Sequence, residues 1–316
     1  MPPFTRVTRA FRRPYHLTSV YERVLGTELE VQIIADSARL ARQAEATGLR
    51  EIERLTRVFN RFDPSSELQR LQSRPGEAAL LSEDLAFVLR EAERWHLASA
   101  GAFHPGADAL GAVWKRAEQL GTPPDPIVLA QIVSELRKPL WAFADHSRAT
   151  YLSTLPMGLN ALAKGHVVDC VARSMYGCPG VTSLLVNAGG DLRAIGESGV
   201  NVAVADPRSE SDNLPPLITL HVRNAALASS GGARRGFRIG EVWHSHLIDP
   251  RTGFPVTEIP GVTVVAPSCL EADALATCLS VLEAEQGLAL VDATAGAAAL
   301  IVSRRGQQHA SQRWDP

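Results

Sequence analysis

Apolar residues recur along this chain in two rhythms. In LGTELEVQII, residues 25–34, β-branched residues partly alternate with polar ones, which predicts a strand. Between 36 and 60 the spacing lengthens. Leu40, Ala44, Leu49, Ile52, Leu55, Val58 and Phe59 fall near helical periodicity with Arg and Glu between them, and RFDPSSE closes that predicted helix with a turn. SEDLAFVLREAERWHLA predicts a second helix over about 82–98, with Ser82 as its N-cap. GAFHPGADALGAVW (101–114) reads as loop-like and GTPPDP (121–126) as a surface loop. Beyond residue 180 come short apolar runs, VTSLLVNA, VNVAVADP, LITLHVRN and GVTVVAP, separated by Gly, Pro and Asn. These are strand signals, and little helical pattern returns before residue 269. Helices early and strands late predict an α+β fold with a mixed or antiparallel sheet and packed helices. One domain over residues 21–316 is expected, after a basic tail over residues 1–20.

Composition narrows the function. The 316 residues are 45% hydrophobic and 21% charged, enough for a sizeable core. A formal net charge of -2 gives no positive field for phosphate backbones, so nucleic acid is not an expected partner. No window approaches the roughly 18 consecutive apolar residues of a membrane helix, and no signal-peptide core follows Arg12-Arg13. A soluble, cytoplasmic protein is expected. Cys170, Cys178, Cys269 and Cys278 lack CxxC spacing and read as free thiols, with no redox or zinc role.

Five stretches carry candidate chemistry. In APSCLEADALATC (266–278), Ser268 and Glu271 form a capping-box pattern that starts a helix, and Asp273 and Thr277 then share one face. A carboxylate beside a hydroxyl suits Mg²⁺; equally, the Asp favours the positive end of a capped helix. MGLNALAKGHVVDCVA (157–172) presents Lys164 before a helix-like run, as a phosphate-binding start or a solvated lysine, and is not a Walker A loop. VNAGGDLRAIG (186–196) reads as a ligand loop or a hairpin, and Ser229 and Ser230 as ligand contacts or solvated loop. In HSHLIDPRTGFP (244–255) a turn accounts for Asp249 and Gly253, whereas His244 and His246 alternate along a strand, where one is a candidate base.

Together and in order, these stretches resemble the ApbE family of FAD:protein FMN transferases. LNALAKGHVVD is similar to that family's LDLGGIAKGYAVD, VNAGGDLRAIG to its VNxGGD strand, HSHLIDPRTGFPV to its SHIIDPRTGxPV turn, and VTVVAPSCLEADALAT to its VTVxAPSxxEADALAT helix. LGTELEV, FDPSSELQRL, GAFHPGADAL and SSGG match more weakly. The resemblance implies a T-fold-like single domain and an enzyme that uses FAD and Mg²⁺ to place FMN on a Thr or Ser of a target protein, releasing AMP. It implies Asp273 and Thr277 as metal ligands with the backbone oxygens of Ala161 and Ala276. Lys164 and the Ala102-Phe103-His104 segment would contact FAD, Leu247 would line the flavin pocket, and His246 would be the base for the acceptor hydroxyl.

The chain departs from that pattern at several cofactor positions. His104 and Gly158 stand where the family has Asp, Leu25 where it has Met, Phe62 where it has a flavin-stacking Tyr, and Ala233 where it has Tyr. Stacking needs the ring and not the hydroxyl, so Phe62 retains that capacity. Competing expectations are an FAD pyrophosphatase, in which water takes the acceptor's place, and a non-catalytic flavin-binding protein.

Overall fold

The computed structural model describes residues 13–208, 215–231, 235–258 and 261–315. The chain starts with a hairpin, β1 (Tyr15–Val24) and β2 (Thr27–Ala35), followed by helix α1 (Ala38–Phe59) and short helix α2 (Glu67–Gln72). Strand β3 (Ala78–Leu80) leads to α3 (Glu83–Ala98), α4 (Asp108–Leu120) and α5 (Pro126–Leu136), then β4 (Trp141–Phe143) and β5 (Arg148–Tyr151). Helix α6 (Asn160–Tyr176) enters the strand-rich half: β6 (Val181–Ala188), β7 (Asp191–Gly196), β8 (Val200–Val204), β9 (Ile218–Val222), β10 (Ala225–Ser230), β11 (Gly236–Ile239), β12 (Val242–Ser245) and β13 (Gly261–Ala266). Helices α7 (Cys269–Leu279) and α8 (Ala284–Ala293), then β14 (Ala298–Val302) and β15 (Gln308–Ala310), complete the chain.

Eight strands form the main sheet in the order β1-β2-β6-β7-β10-β13-β14-β15, and every adjacent pair is antiparallel. Its strands bury alternate residues in two different cores. Leu184 and Val186 of β6 join a large core with Leu55, Leu89, Val168 and Leu275 of α1, α3, α6 and α7. Between them Leu185 points the other way, with Leu192 and Leu227, onto the β8–β9 hairpin residues Val204, Leu220 and Val222. A strand buried on both faces reads as an unbroken apolar run, which is why VTSLLVNA shows no alternation. A third core joins Leu110 and Trp114 of α4, Leu129 of α5 and Phe237 of β11.

The predicted α+β fold, antiparallel sheet and both early helices are present. Ser37, Ser82 and Ser268 cap α1, α3 and α7 by accepting the Leu40, Leu85 and Glu271 amides. Two expectations need correction. The tail expected through residue 20 is too long, because Tyr15, Leu17 and Tyr21 of β1 alternate onto the core while β1 pairs with β2. The loop expected over 101–114 is a 3-10 turn at Pro105–Ala107 running into α4, which buries Leu110, Trp114 and Ala117 at helical spacing. Among the described residues no helix is long and apolar enough to cross a membrane.

Candidate active site

Two helix starts meet beside the centre of the sheet. Gly165 of α6 has no side chain, and a Cβ there would lie 2.6 Å from the Cys269 carbonyl oxygen and 2.7 Å from Leu270 Cα of α7. At that approach the open amides at the start of α7 are taken by α6: Cys269 and Leu270 each donate to the Asp169 carboxylate at 3.0 Å. Lys164 therefore lies in the second turn of α6, inside the helix, and Asp273 one turn into α7. Both line one cavity of about 570 Å³, together with Asp191 from the β6–β7 hairpin, Ser229 of β10, Thr263 of β13 and His246.

The electrostatics of this cavity are unbalanced. Lys164 pairs with Asp191, which is 2% exposed. Burial alone would pull the Lys164 ammonium's pKa down, but the carboxylates of Asp273 and Asp191 outweigh it and raise it. Burial raises Asp191 against the pull of Lys164. Burial first, and repulsion from Asp191 second, push Asp273 up to about 8 against the attraction of Lys164. Two buried carboxylates thus share one ammonium, and Asp273 Oδ2 is buried with no hydrogen-bond partner among the described residues. An orphan acceptor in an electron-rich pocket attracts a cation, so the donors present fit a hard divalent ion. Thr277 stands one turn further along α7, half-buried. The Ala276 carbonyl already accepts the Ser280 N–H at 3.1 Å and its hydroxyl at 2.7 Å. That hydroxyl also lies 2.9 Å from Ser230 Oγ, so turning to Ser230 would free a lone pair on Ala276. Ala161 lies in the first turn of α6, half-buried.

His244 and His246, two residues apart on an expected strand and so expected on one face, do not share it. β12 ends at Ser245, and His244 packs its ring on Trp114 at 4.9 Å, whereas His246 lines the cavity. The His246 Nδ1 lies 3.0 Å from the Arg235 carbonyl, which can only accept, so Nδ1 carries the proton and Nε2 keeps a lone pair that no described residue engages. Burial lowers the ring's pKa, which keeps it neutral. The following turn is structural, as expected: Gly253, at φ 82°, donates to the Asp249 carbonyl at 2.8 Å, and the Asp249 carboxylate accepts the Arg251 amide at 2.9 Å.

The remaining expected cofactor residues do not line this cavity. Phe62 is 86% exposed, with the Arg61 guanidinium 5.4 Å from its ring centre. Leu25 adopts φ 53° in the β1–β2 turn, and Leu247 is half-buried after β12. Ala102 and Phe103 are buried; the Phe103 amide donates to Ser99 Oγ, and its carbonyl lies 3.0 Å from His96 Nδ1. Both ring nitrogens of His104 are engaged: Nδ1 accepts the Gly106 amide at 2.9 Å and Nε2 donates to the Leu136 carbonyl at 2.8 Å. Burial, then the His96 ring, lower its pKa to about 4. At Gly158 the side-chain space is occupied, since a Cβ would run into the Asp108 carboxylate, which pairs with Arg61. Ala233 lies outside the described residues.

Asp191 and Asp169 have no predicted role in the sequence reading, although both sit inside recognised stretches. A carboxylate directly after a Gly-Gly turn was the available signal for Asp191. The Asp169 contact joins residues 100 positions apart and has no local signature.

Comparison with known proteins identifies the family and the fold. The model of the ApbE family matches residues 25–301. The chain is 28% identical over 306 residues to an FAD:protein FMN transferase of Treponema pallidum (strain Nichols), covering 89% of this chain and 83% of that one. It is 27% identical over 279 residues to an FAD:protein FMN transferase of Chlamydia muridarum, covering 85% and 83%. Among solved structures, the ApbE protein of Thermotoga maritima superposes with a TM-score of 0.78 at 24% identity, covering 95% of this chain and 97% of that chain. The apo flavinyl transferase ApbE of Pseudomonas stutzeri gives 0.78 at 23% identity, covering 96% of each. At these identities the structures establish a shared fold.

Proposed function

The chain belongs to the ApbE family, and on that premise we propose that it transfers FMN from FAD to a Thr or Ser hydroxyl of a target protein, with Mg²⁺ as cofactor and AMP as the second product. The names of the curated relatives support flavin transfer to protein. The observation that carries the reading to this chain is Asp273, whose buried, unpartnered oxygen stands beside the Lys164–Asp191 pair in the cavity that His246 also lines.

In the reaction the acceptor oxygen attacks the phosphorus of the FMN half of FAD. A new O–P bond forms, the pyrophosphate P–O bond breaks with its electrons going to AMP, and the acceptor proton must be removed. Mg²⁺ held by Asp273 and Thr277, with the Ala161 and Ala276 carbonyls, would supply neutralisation of charge building on the phosphoryl oxygens. Lys164 presents a positive charge to the same oxygens, and Asp191 holds that ammonium in place. His246, neutral with Nε2 free, takes the acceptor proton at Nε2 while the Arg235 carbonyl fixes the ring.

Release of AMP from FAD by the purified protein, measured with Mg²⁺ and with a chelator, tests this reading. Mg²⁺-dependent AMP release that rises when an acceptor protein is added supports transfer. AMP release indifferent to the acceptor points to a pyrophosphatase, and FAD that binds without breakdown points to a binding protein.

A further inference from the structure

Away from this cavity, α3 and α6 bring together three side chains that the transfer reaction does not use. His166 and Cys170 stand four residues apart on one face of α6, and Asp84 lies in the first turn of α3. His166 is 5% exposed, with Nε2 2.9 Å from Asp84 Oδ1 and 3.5 Å from Cys170 Sγ. One ligand atom from each residue lies within 4.8 Å of the others. The rings of Phe59 and Phe87 flank the imidazole at 5.8 and 5.3 Å between centroids, giving the group an apolar wall.

We propose that Asp84, His166 and Cys170 form a site for a divalent transition-metal ion of the zinc class, separate from the Mg²⁺ position at Asp273. The donor set is one imidazole nitrogen, one thiolate and one carboxylate oxygen. Zn²⁺ and its neighbours accept that mixture, whereas Mg²⁺ and Ca²⁺ take oxygen ligands. Metal–nitrogen bonds of about 2.0–2.1 Å and metal–sulfur bonds of about 2.3 Å at a tetrahedral angle place nitrogen and sulfur about 3.5 Å apart. That is the Nε2–Sγ separation here, 3.5 Å. The Nε2–Oδ1 contact must open by about 0.4 Å, from hydrogen-bond length to the edge of a coordination tetrahedron.

The surrounding contacts suit such an ion. Arg54 donates to Asp84 Oδ2 at 2.6 Å and so leaves Oδ1 as the inward oxygen. Arg173 donates to Cys170 Sγ at 3.3 Å, where an N–H helps to hold a thiolate. Glu51 and Asp84 both pair with Arg54, and the thiolate would offset part of the ion's charge. Binding releases the Cys170 proton to solvent. With three protein ligands the fourth position falls to water, on the side where Cys170 is half exposed. The ion would tie the start of α3 to α6, with His166 two residues and Cys170 six residues beyond Lys164. This inference stands apart from the flavin-transfer reading.

The test is a Co²⁺ titration of the reduced, chelator-treated full chain in excess Mg²⁺, reading the thiolate-to-cobalt charge-transfer absorption. The expected result is saturation at one equivalent, displacement by Zn²⁺, and loss of the band in Cys170→Ser and in His166→Gln. The band should persist in Cys178→Ser and in Asp273→Ala. No charge-transfer band in the unsubstituted protein, or a band that survives Cys170→Ser, overturns the proposal. A measurement that needs no variant is alkylation mapped by mass: Zn²⁺ should protect Cys170 and not Cys178, and equal labelling of Cys170 with and without Zn²⁺ overturns it as well.

Discussion

Replacing Gly165 by Ala inserts one methyl between α6 and α7. Its carbon would sit 2.6 Å from the Cys269 carbonyl oxygen, 2.7 Å from the Cys269 carbonyl carbon and 2.7 Å from Leu270 Cα. These are main-chain atoms that no rotamer change can move. Non-bonded carbon contacts settle at about 3.5 Å or more, so the helices must part by about 0.8 Å. The same movement stretches the bonds from the Cys269 and Leu270 amides to Asp169. Overpacking costs about 1–3 kcal/mol, a weakened bond to a buried carboxylate about 1.5–3, and alanine's helix propensity returns about 1. The net expectation is a loss of about 1.5–5 kcal/mol of stability, read as a lower urea midpoint at unchanged slope. Flavin transfer should fall too, because Lys164 and Asp273 separate with the helices. Gly111→Ala in α4 is the control. A Cβ there meets nothing within 4 Å, so this variant should gain up to about 1 kcal/mol. A Gly165→Ala midpoint equal to or above that of the unsubstituted protein would refute the close packing of α6 on α7.

Other residues give further expected outcomes. His246→Ala should lower transfer by about 10²–10⁴-fold with little change in FAD affinity, measured by kcat and by flavin titration; a change confined to affinity reassigns the ring to positioning. His104, held neutral with a pKa lowered to about 4 from its ordinary 6.5, should contribute stability above pH 6.5 that is lost as pH falls through 6.5 towards 4. That loss is of the order of 3 kcal/mol, and His104→Asn melts across this window should show a shallower pH slope. At the proposed Mg²⁺ position, Asp273, pushed up to about 8, would have to give up its proton on binding, so apparent Mg²⁺ affinity should rise as pH increases towards 8, by calorimetry; a flat profile would place the ion elsewhere.

What could be read in the sequence, and what could not, follows from the range of the interactions involved. Ser82 and Ser268 cap their helices because capping is decided within three or four residues. The alternation of β1 was also local, but arginines on both sides of it masked Tyr15, Leu17 and Tyr21 as inward residues. The start of α4 was hidden by Pro105 and Gly106, which signal turns even where a 3-10 turn leads into a helix. In the site, Asp273, Lys164 and His246 stand in recognisable stretches and converge on one cavity. The pairing of Lys164 with Asp191, the capping of α7 by Asp169, and the capture of both His104 nitrogens by Gly106 and Leu136 depend on chain crossings that no local pattern encodes.

The most direct measurement of the proposed function is the intact mass of an acceptor protein carrying the proposed Thr or Ser acceptor, after incubation with this protein, FAD and Mg²⁺, with AMP quantified in the same reaction. A mass gain of one FMN per acceptor, matched by AMP, is expected, and neither product with Asp273→Ala. An unmodified acceptor beside FAD turned over to FMN and AMP, or full modification by the Asp273→Ala variant, would contradict it.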